Sequence, residues 1–446
     1  MFACFFIACD ALVVVDPPKT ELTRANVFSS DQSASSAVAG LYSQLITSNF
    51  ALMSCGMTLY PGMSADEIYN SSPGLNDEFT LNSLDPFNST INTYIWNPAY
   101  RYIYQANAII EGLESSNAIS ESVAEQLKGE ALFIRAFCYF YLVNLFGDVP
   151  FIVLTDYNIS NSEPRMDTEL IYDAILSDLL LAERLLKEEY PTNEKIRVNK
   201  WVAKAMLARV YLYLENYEAA IEKSTDLIDA SDYNLLDEPS EVFLANSAEA
   251  IWQLRLDGNS YNTWEGAAFI PQPGVMPNFV IYEDLIKAFA VEDKRLENWI
   301  DRVVVDGQTV YFPYKYKIRS GGGGTEYYTV VRLAEQYLIR AEAYAYLDEI
   351  NLAIDDLDII RIRAGLESLK EKMPSDRNEL LNLINQERRL ELFCEWGHRW
   401  FDLNRTNRLD NVMAEKKDDW SVNDKLYPIP GNQLLANPAL TQNIGY

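Results

Sequence analysis

The sequence predicts a mainly α fold, built of tetratricopeptide-like helical hairpins with long loop-rich and short-strand insertions. Two observations predict it. Apolar residues recur at helical spacing through most of the 446 residues. A hairpin spacing also occurs twice: Ala208, Tyr211 and Ala220 in "LARVYLYLENYEAA" return as Ala341, Tyr344 and Ala353 in "RAEAYAYLDEINLA". Small residues let two antiparallel helices approach, and the aromatic fills the gap between them. The two blocks lie far apart in sequence, so a tandem solenoid is not expected.

The elements follow in order. The first eight residues, MFACFFIA, are apolar and run into Cys9. That is how a lipoprotein signal ends, with cleavage before a cysteine that then carries the acyl chains. Phe6 stands where Leu is usual, and no Lys or Arg precedes the run, which predicts a signal truncated at its start. Residues 9–28 then read as a lipid-anchored tether with a Pro-Pro stop, and 29–446 as one interwoven domain. From Ser29, cap-type residues lead into a helix with Val38, Leu41, Tyr42 and Leu45 on one face. Residues 52–93, rich in Gly, Pro, Ser, Asn and Asp, read mostly as loop. Helices are expected at 94–114, 121–146, 167–189, 198–214, 217–230, 328–347, 350–364 and 376–396. The hairpins near 121–146, 198–230 and 328–364 form the scaffold. The insertion near 231–327 contains the strand-like WQLRL and VYFPYKYKI and the turn GGGG at 321–324.

Composition excludes some functions. A net charge of −28 repels nucleic-acid phosphates and suits neutral or cationic ligands. No run reaches the roughly 20 apolar residues of a membrane span. With Cys4 lost with the signal and Cys9 acylated, Cys55, Cys138 and Cys394 remain, too few and too dispersed for a disulfide framework.

The stretch "NQERRLELFCEWGHRWFDLNR", residues 385–405, carries the densest chemistry. It holds the only histidine, so a Ser-His-Asp or Cys-His site has to use His398. Gly397 precedes it and is expected to end the helix there, which separates Cys394 from His398. Glu395-x-x-His398 resembles half of a di-iron motif, but a second Glu-x-x-His does not exist. Zinc, Walker and calcium patterns are missing as well, so neither metal nor cofactor is expected. Glu387, Glu391 and Glu395 fall at i, i+4 and i+8. Arg388 lies three before Glu391 and Arg399 four after Glu395, with Leu390, Phe393, Trp396 and Trp400 on the apolar side. This reads as a buried ion network.

The same stretch resembles the signature of the SusD/RagB family of Bacteroidota surface lipoproteins. "LYPIPGNQLLANPALTQNIGY" resembles that family's ending, and "GEALFIRAFCYFYLVNLFGDVPF" and "VVRLAEQYLIRAEAY" match two further blocks. The resemblance implies a helical scaffold with a variable ligand face and no catalytic residues. It implies a protein lipid-anchored on the extracellular face of the outer membrane. There it would capture oligosaccharide or polysaccharide and cap a SusC-like TonB-dependent barrel for import. Peptide cargo is the alternative, followed by a surface glycosidase or a structural tetratricopeptide adaptor.

A sugar site needs aromatic platforms edged by Asn, Asp, Gln or Arg. The insertions offer Tyr60, Asp66 and Tyr69 in "YPGMSADEIYN", and Tyr261, Asn262 and Trp264 in "DGNSYNTWEG". These six are the expected ligand contacts. Trp96 reads as scaffold.

Replacing the acyl-bearing residue tests the anchor. Cys9→Ala is expected to leave the outer-membrane fraction and to lose acyl chains by mass spectrometry. A variant that still pellets with membranes and carries acyl groups refutes the anchor.

Overall fold

The computed structural model describes residues 23–258 and 260–446. Cys9, the 1–8 signal and most of the 9–28 tether lie outside the described residues. Helix α1 (Asp31–Thr47) opens at Ser30, whose side chain accepts from the Ser33 N–H at 3.2 Å. Helix α2 spans Met57–Ser64, α3 Asn97–Ser115 and α4 Glu121–Phe146. From Leu127 onward α4 is buried almost all round, as a helix apolar on every side must be. It is long and apolar enough to cross a membrane, contrary to the expectation that no such run exists, but its apolar length is enclosed by neighbouring helices. Helix α5 (Thr168–Leu185) packs along it, and Arg135 grips Asp178 with two bonds of 2.7 Å.

The two hairpins follow: α6 (Lys200–Tyr213) with α7 (Tyr217–Ile228), and α8 (Leu333–Tyr346) with α9 (Ile350–Arg363). Ala208, Ala220, Ala341 and Ala353 are fully buried where the helices meet. Although distant in sequence, the hairpins are neighbours in space. Helix α7 packs on α8, and Tyr217 stacks on Tyr346 at 4.5 Å. Helix α10 (Arg377–Glu391) continues the array against α8 and α9. The hairpins therefore stack in space although, as the sequence predicts, a long insertion separates them along the chain. The reason is that the insertion between them closes on itself. Strand Ala250–Leu254 near its start pairs antiparallel with Tyr328–Arg332 at its end, which returns the chain to α7. Paired arginine forks recur between these helices: Arg209 holds Glu335 and Arg340 holds Asp356, each at 2.6–2.7 Å.

Two further ladders order the insertion. Ile68–Asn70 pairs antiparallel with Phe279–Ile281. Ile300–Val305 and Gln308–Pro313 form a hairpin. Its two-residue Asp306-Gly307 turn has positive φ at both positions, as such tight turns require. The expected strand at 310–318 stops at Pro313.

Residues 52–64 are not loop. Leu52–Gly56 is a kinked turn, non-helical at Ser54 and at Cys55 with its φ of 117°, and α2 follows; every residue of both is buried. Leu52, Met53, Met57, Leu59 and Met63 outweigh the Gly, Pro and Ser between them. Pro61 lacks an N–H, so the Met57 carbonyl has no helical partner. Gly397 comes close there: a Cβ on it would stand 3.1 Å from that carbonyl oxygen and 2.9 Å from Pro61 Cβ. Gly397, at φ 71°, does not end a helix as expected. It precedes α11 (His398–Arg405), while α10 has already stopped at Glu391. Between them Cys394 and Trp396 also take left-handed φ of 50° and 47°, so Cys394 and His398 share no helix face.

This turn sits on a buried ion network. Arg332 bonds Glu249 at 2.8 Å, Glu391 at 2.6 Å and both oxygens of Glu395 at 2.8 Å. Glu391 also accepts from Arg295 at 3.0 Å and from Arg363. Lys315 reaches Glu395 at 2.5 Å, and Arg295 holds Glu387 at 2.6 Å and Asp293 at 2.8 Å. With Arg361 on Glu387, five cations face five carboxylates: Arg295, Lys315, Arg332, Arg361 and Arg363 against Glu249, Asp293, Glu387, Glu391 and Glu395. Two pairings suggested by sequence spacing do not form. Arg388 turns to Asp402 at 2.8 Å, and Arg399 to Asp66 at 2.7 Å. The break after Glu391 puts Arg399 on the next helix, away from Glu395, while Arg388 stays on α10 and is drawn to Asp402 of that next helix.

Burial raises the Glu391 carboxyl, but Arg363, Arg332 and Arg295 together hold it well below the usual carboxylate range. Glu391→Ala takes one carboxylate from three buried guanidinium groups, leaves the core network with an uncompensated positive charge, and is expected to cost about 3–5 kcal/mol. Urea unfolding should show this as a lower midpoint. A variant as stable as the parent refutes the assignment.

Candidate functional site

A cavity of about 430 Å³ opens where four segments converge. One is the link between α1 and α2, which contributes Phe50. The second is strand Ile68–Asn70 and the turn after it, with Asn70, Ser72 and Asn76. The third is the π-helical turn Ile91–Trp96, which presents Tyr94. The fourth is the partner strand, which brings Asn278 and Phe279.

Local chemistry holds each wall. Asp77 accepts from Asn70 Nδ2 and from the Gly74 N–H, both at 3.0 Å, which fixes the turn. The Ser71 N–H donates to the Asn278 carbonyl at 2.8 Å, continuing the ladder to the rim. Asn88 donates to the Leu75 carbonyl at 3.0 Å and accepts from the Thr90 N–H at 2.9 Å, tying the turn to the π-helix. Phe50 takes a left-handed φ of 60°. The carbonyls of Phe50 and Ala51 lie 2.7 Å from where a Cβ on Gly56 would stand, so only glycine fits beneath them.

The rings of Phe50 and Tyr94 are half-buried, and Leu59, Tyr60 and Phe279 form the apolar floor. The Tyr94 and Ser72 hydroxyls and the Asn76 and Asn278 amides make no hydrogen bond among the described residues. Among the described residues no Asp, Glu, Lys or Arg lines the cavity. In a chain of net charge −28 that is a selected environment. It offers aromatic faces and unengaged neutral donors and acceptors, suited to a neutral ligand with apolar faces and many hydroxyls.

The six expected contacts are not brought together here. Tyr60 lies in the floor and is 3% exposed, its ring 4.8 Å from Phe79. Asp66 is buried between Arg399 and Arg389, at 2.7 and 2.9 Å. Tyr69, one residue before Asn70 on the strand, is half-buried against Tyr282. Asn262 is buried and pins the glycine loop, donating to the Gly321 carbonyl and accepting from the Thr325 N–H, both at 3.0 Å. Trp264 is not in a loop. It begins the helix Trp264–Phe269, packs against Tyr261 at 5.1 Å, and donates its indole N–H to the Ile46 carbonyl at 2.8 Å. Asp66 and Asn262 are thus engaged in the scaffold, the Trp264 N–H is committed to it, and of the six only Tyr60 lines the cavity. Phe50, Asn70, Asn76, Tyr94 and Asn278 escaped the sequence reading. Tyr94 looked like the first residue of a scaffold helix. The Gly- and Pro-containing turns "SSPGLN" and "PQPGVMPN" were the available signal.

Perturbed carboxyls lie elsewhere. Burial, then the neighbouring Asp66, pushes Glu67 up to about 8, while Arg399 and Arg389 outweigh burial and hold Asp66 below the usual range. A pair tuned apart in this way can serve as acid and base. Here both are 1% exposed, and neither lines the cavity. His398 is likewise buried, beside Glu335, Arg209 and Arg388, and burial draws it down to about 4.

The comparisons with known proteins agree with this architecture. A family model described as starch-binding and associating with the outer membrane matches residues 15–212. A second, of the SusD family, matches residues 307–446. The SusD-like protein P25 of Formosa agariphila is 26% identical, over 99% of this chain and 96% of its own. A SusD superfamily structure from Bacteroides vulgatus superposes with a TM-score of 0.82 at 21% identity, covering 94% of this chain and all of that one. A laminarin-binding SusD-like protein superposes with a TM-score of 0.78 at 22% identity, over 94% of this chain and 100% of its own.

One more buried carboxyl acts on stability. Glu265 is 1% exposed beside Lys315, Tyr316 and Cys394, and neither of its oxygens has a hydrogen bond of normal geometry. Burial raises it to about 8. A carboxyl raised in the folded state contributes stability below its unfolded value, and that contribution is lost as pH rises through the folded one. Melting of the parent should therefore fall between about pH 5 and 8, and Glu265→Gln should fall less over the same window. Parallel curves for the two proteins refute a neutral Glu265.

Proposed function

Because the chain belongs to the SusD family, we propose that it is a non-enzymatic capture protein for neutral oligosaccharides or polysaccharides. In this reading a lipid on Cys9 holds it on the extracellular face of the outer membrane, where it caps a SusC-like TonB-dependent barrel. The observation that carries the ligand class is the lining of the 430 Å³ cavity: two half-buried rings, unengaged amides and hydroxyls, and no charge. A pyranose ring lays its C–H face on Phe50 or Tyr94, which removes water from two apolar surfaces. Its hydroxyls then exchange water for Ser72, Asn76 and Asn278. Peptide cargo would bring termini and charged side chains to walls that hold no counter-charge. The family's starch-binding description supports the same ligand class. Hydrolysis would need two carboxyl groups across the sugar, and the lining supplies none.

The test uses the acyl-free Cys9→Ala chain and calorimetry with neutral glucan, mannan and galactan oligosaccharides. The parent should bind at least one of them without releasing reducing ends. Tyr94→Ala should weaken that binding by about 1–3 kcal/mol, as for a large aromatic contact, and leave melting nearly unchanged. Undiminished binding by Tyr94→Ala moves the site away from this cavity, and release of reducing ends makes the protein an enzyme.

A further inference from the structure

A second cleft, of about 190 Å³, lies on the other side of the π-helical turn Ile91–Trp96. That turn gives Tyr94 to the first cavity and Trp96 to this one. The remaining walls come from α3 through Tyr100, from the turn after Asp156 through Tyr157 and Asn161, and from the helix Gly431–Ala436 through Gln433.

The cleft is built rather than incidental. Gln433 Nε2 donates to Asn92 Oδ1 at 2.9 Å and to Asn97 Oδ1 at 3.0 Å, which clamps the C-terminal helix to the start of α3. The Tyr100 hydroxyl donates to the Pro150 carbonyl at 2.9 Å and sets that ring. Asn437 donates to the Glu163 carbonyl at 2.9 Å and closes the far end. Like the first cavity, the cleft has no Asp, Glu, Lys or Arg in its lining among the described residues, in a chain where 23% of residues are charged.

What faces outward is uncommitted. Tyr157 is 70% exposed. Its hydroxyl, the Ser160 hydroxyl and the Asn161 amide have no hydrogen-bond partner among the described residues. Beside the same helix, Phe87 is 63% exposed. A Cβ on Gly431 would stand 2.6 Å from its ring, so the ring is backed by glycine and presents its surface to solvent. The exposed Tyr157 ring beside the unengaged Ser160 hydroxyl and Asn161 amide, in a lining without charge, matches the alternating C–H faces and hydroxyls of a neutral sugar.

We propose that this cleft is a second contact site for a neutral glycan, engaging the sugar units of a chain beyond those held at Tyr94. The inference rests on the glycan-binding reading above. It makes affinity depend on both sides of the π-helical turn, so long chains are retained better than either cleft alone would hold them.

The test is affinity electrophoresis of the acyl-free full chain in gels cast with laminarin, pullulan or galactomannan. Three proteins are compared: the parent, Tyr94→Ala, and the double variant Tyr157→Ala/Asn161→Ala. The double variant is expected to bind about three- to tenfold more weakly than the parent in whichever gel retards the parent, at unchanged melting temperature. Asn161→Asp, an exposed change that places a charge in the cleft, should weaken retention in the same gel and keeps the reading open if the double variant melts early. Parental retention by these variants alongside a loss in Tyr94→Ala overturns the second site and leaves the first intact. Loss in the double variant with Tyr94→Ala unaffected upholds the second site and removes the first. No retardation of the parent in any of the three gels overturns both.

Discussion

Arg332 is the residue through which the separate parts of this chain are joined. It ends the strand that closes the long insertion and stands at the start of α8. From there it bonds Glu249, just before the partner strand, and Glu391 and Glu395, at the end of α10 and in the turn beyond. Arg363 adds the end of α9, and Arg295 with Asp293 adds the insertion's own helix Lys294–Trp299. Buried charges are tolerable only when each is matched, and removing one exposes its partners to the full penalty of desolvation. Insertion and helical array are therefore obliged to form together. The network brings specificity of arrangement more than net stability, since a well-packed apolar cluster of the same volume could be as stable.

The candidate site depends on that arrangement at one remove. Asn278 and Phe279 belong to the insertion, while Phe50, Asn70 and Tyr94 belong to the N-terminal part of the chain. They face one another because Ile68–Asn70 pairs with Phe279–Ile281. That ladder has a defined register because the insertion is pinned further along by Asp293, Arg295 and Lys315. A helical frame thus carries the short strands and turns that line the cavity. Charge is confined to the joints of the frame and to the open surface, and the two clefts flanking the π-helical turn are left neutral.

Helical periodicity, the paired Ala-Tyr-Ala spacing and the Glu387–Glu391–Glu395 stripe were legible because each is local. Period and spacing alone dictate which residues share a helix face. They marked the array, its two hairpins and the presence of a buried charge cluster. The partners of that cluster were not legible. Glu249, Asp293, Arg295, Lys315, Arg332 and Arg363 are spread over more than a hundred residues and meet only in three dimensions, so Arg388 and Arg399 were assigned to near neighbours they do not touch. The same limit misplaced α2, where local Gly, Pro and Ser argued for a loop while Leu52, Met57 and Met63 were drawn into the core. It also misplaced Gly397, whose close approach to Met57 and Pro61 depends on a helix more than three hundred residues earlier.

The candidate ligand contacts show the division most plainly. Sequence alone determined that the insertions carry aromatic and amide residues and that the one histidine and the dispersed cysteines match no familiar metal or nucleophile motif. Only the tertiary structure decided which of those residues face solvent. It buried Tyr60, Asp66 and Asn262, tied the Trp264 indole to Ile46, and brought Phe50, Asn70, Tyr94 and Asn278 to one opening. Exposure is a property of what packs against a residue, and that is determined by contacts across the whole chain, not by the residues beside it.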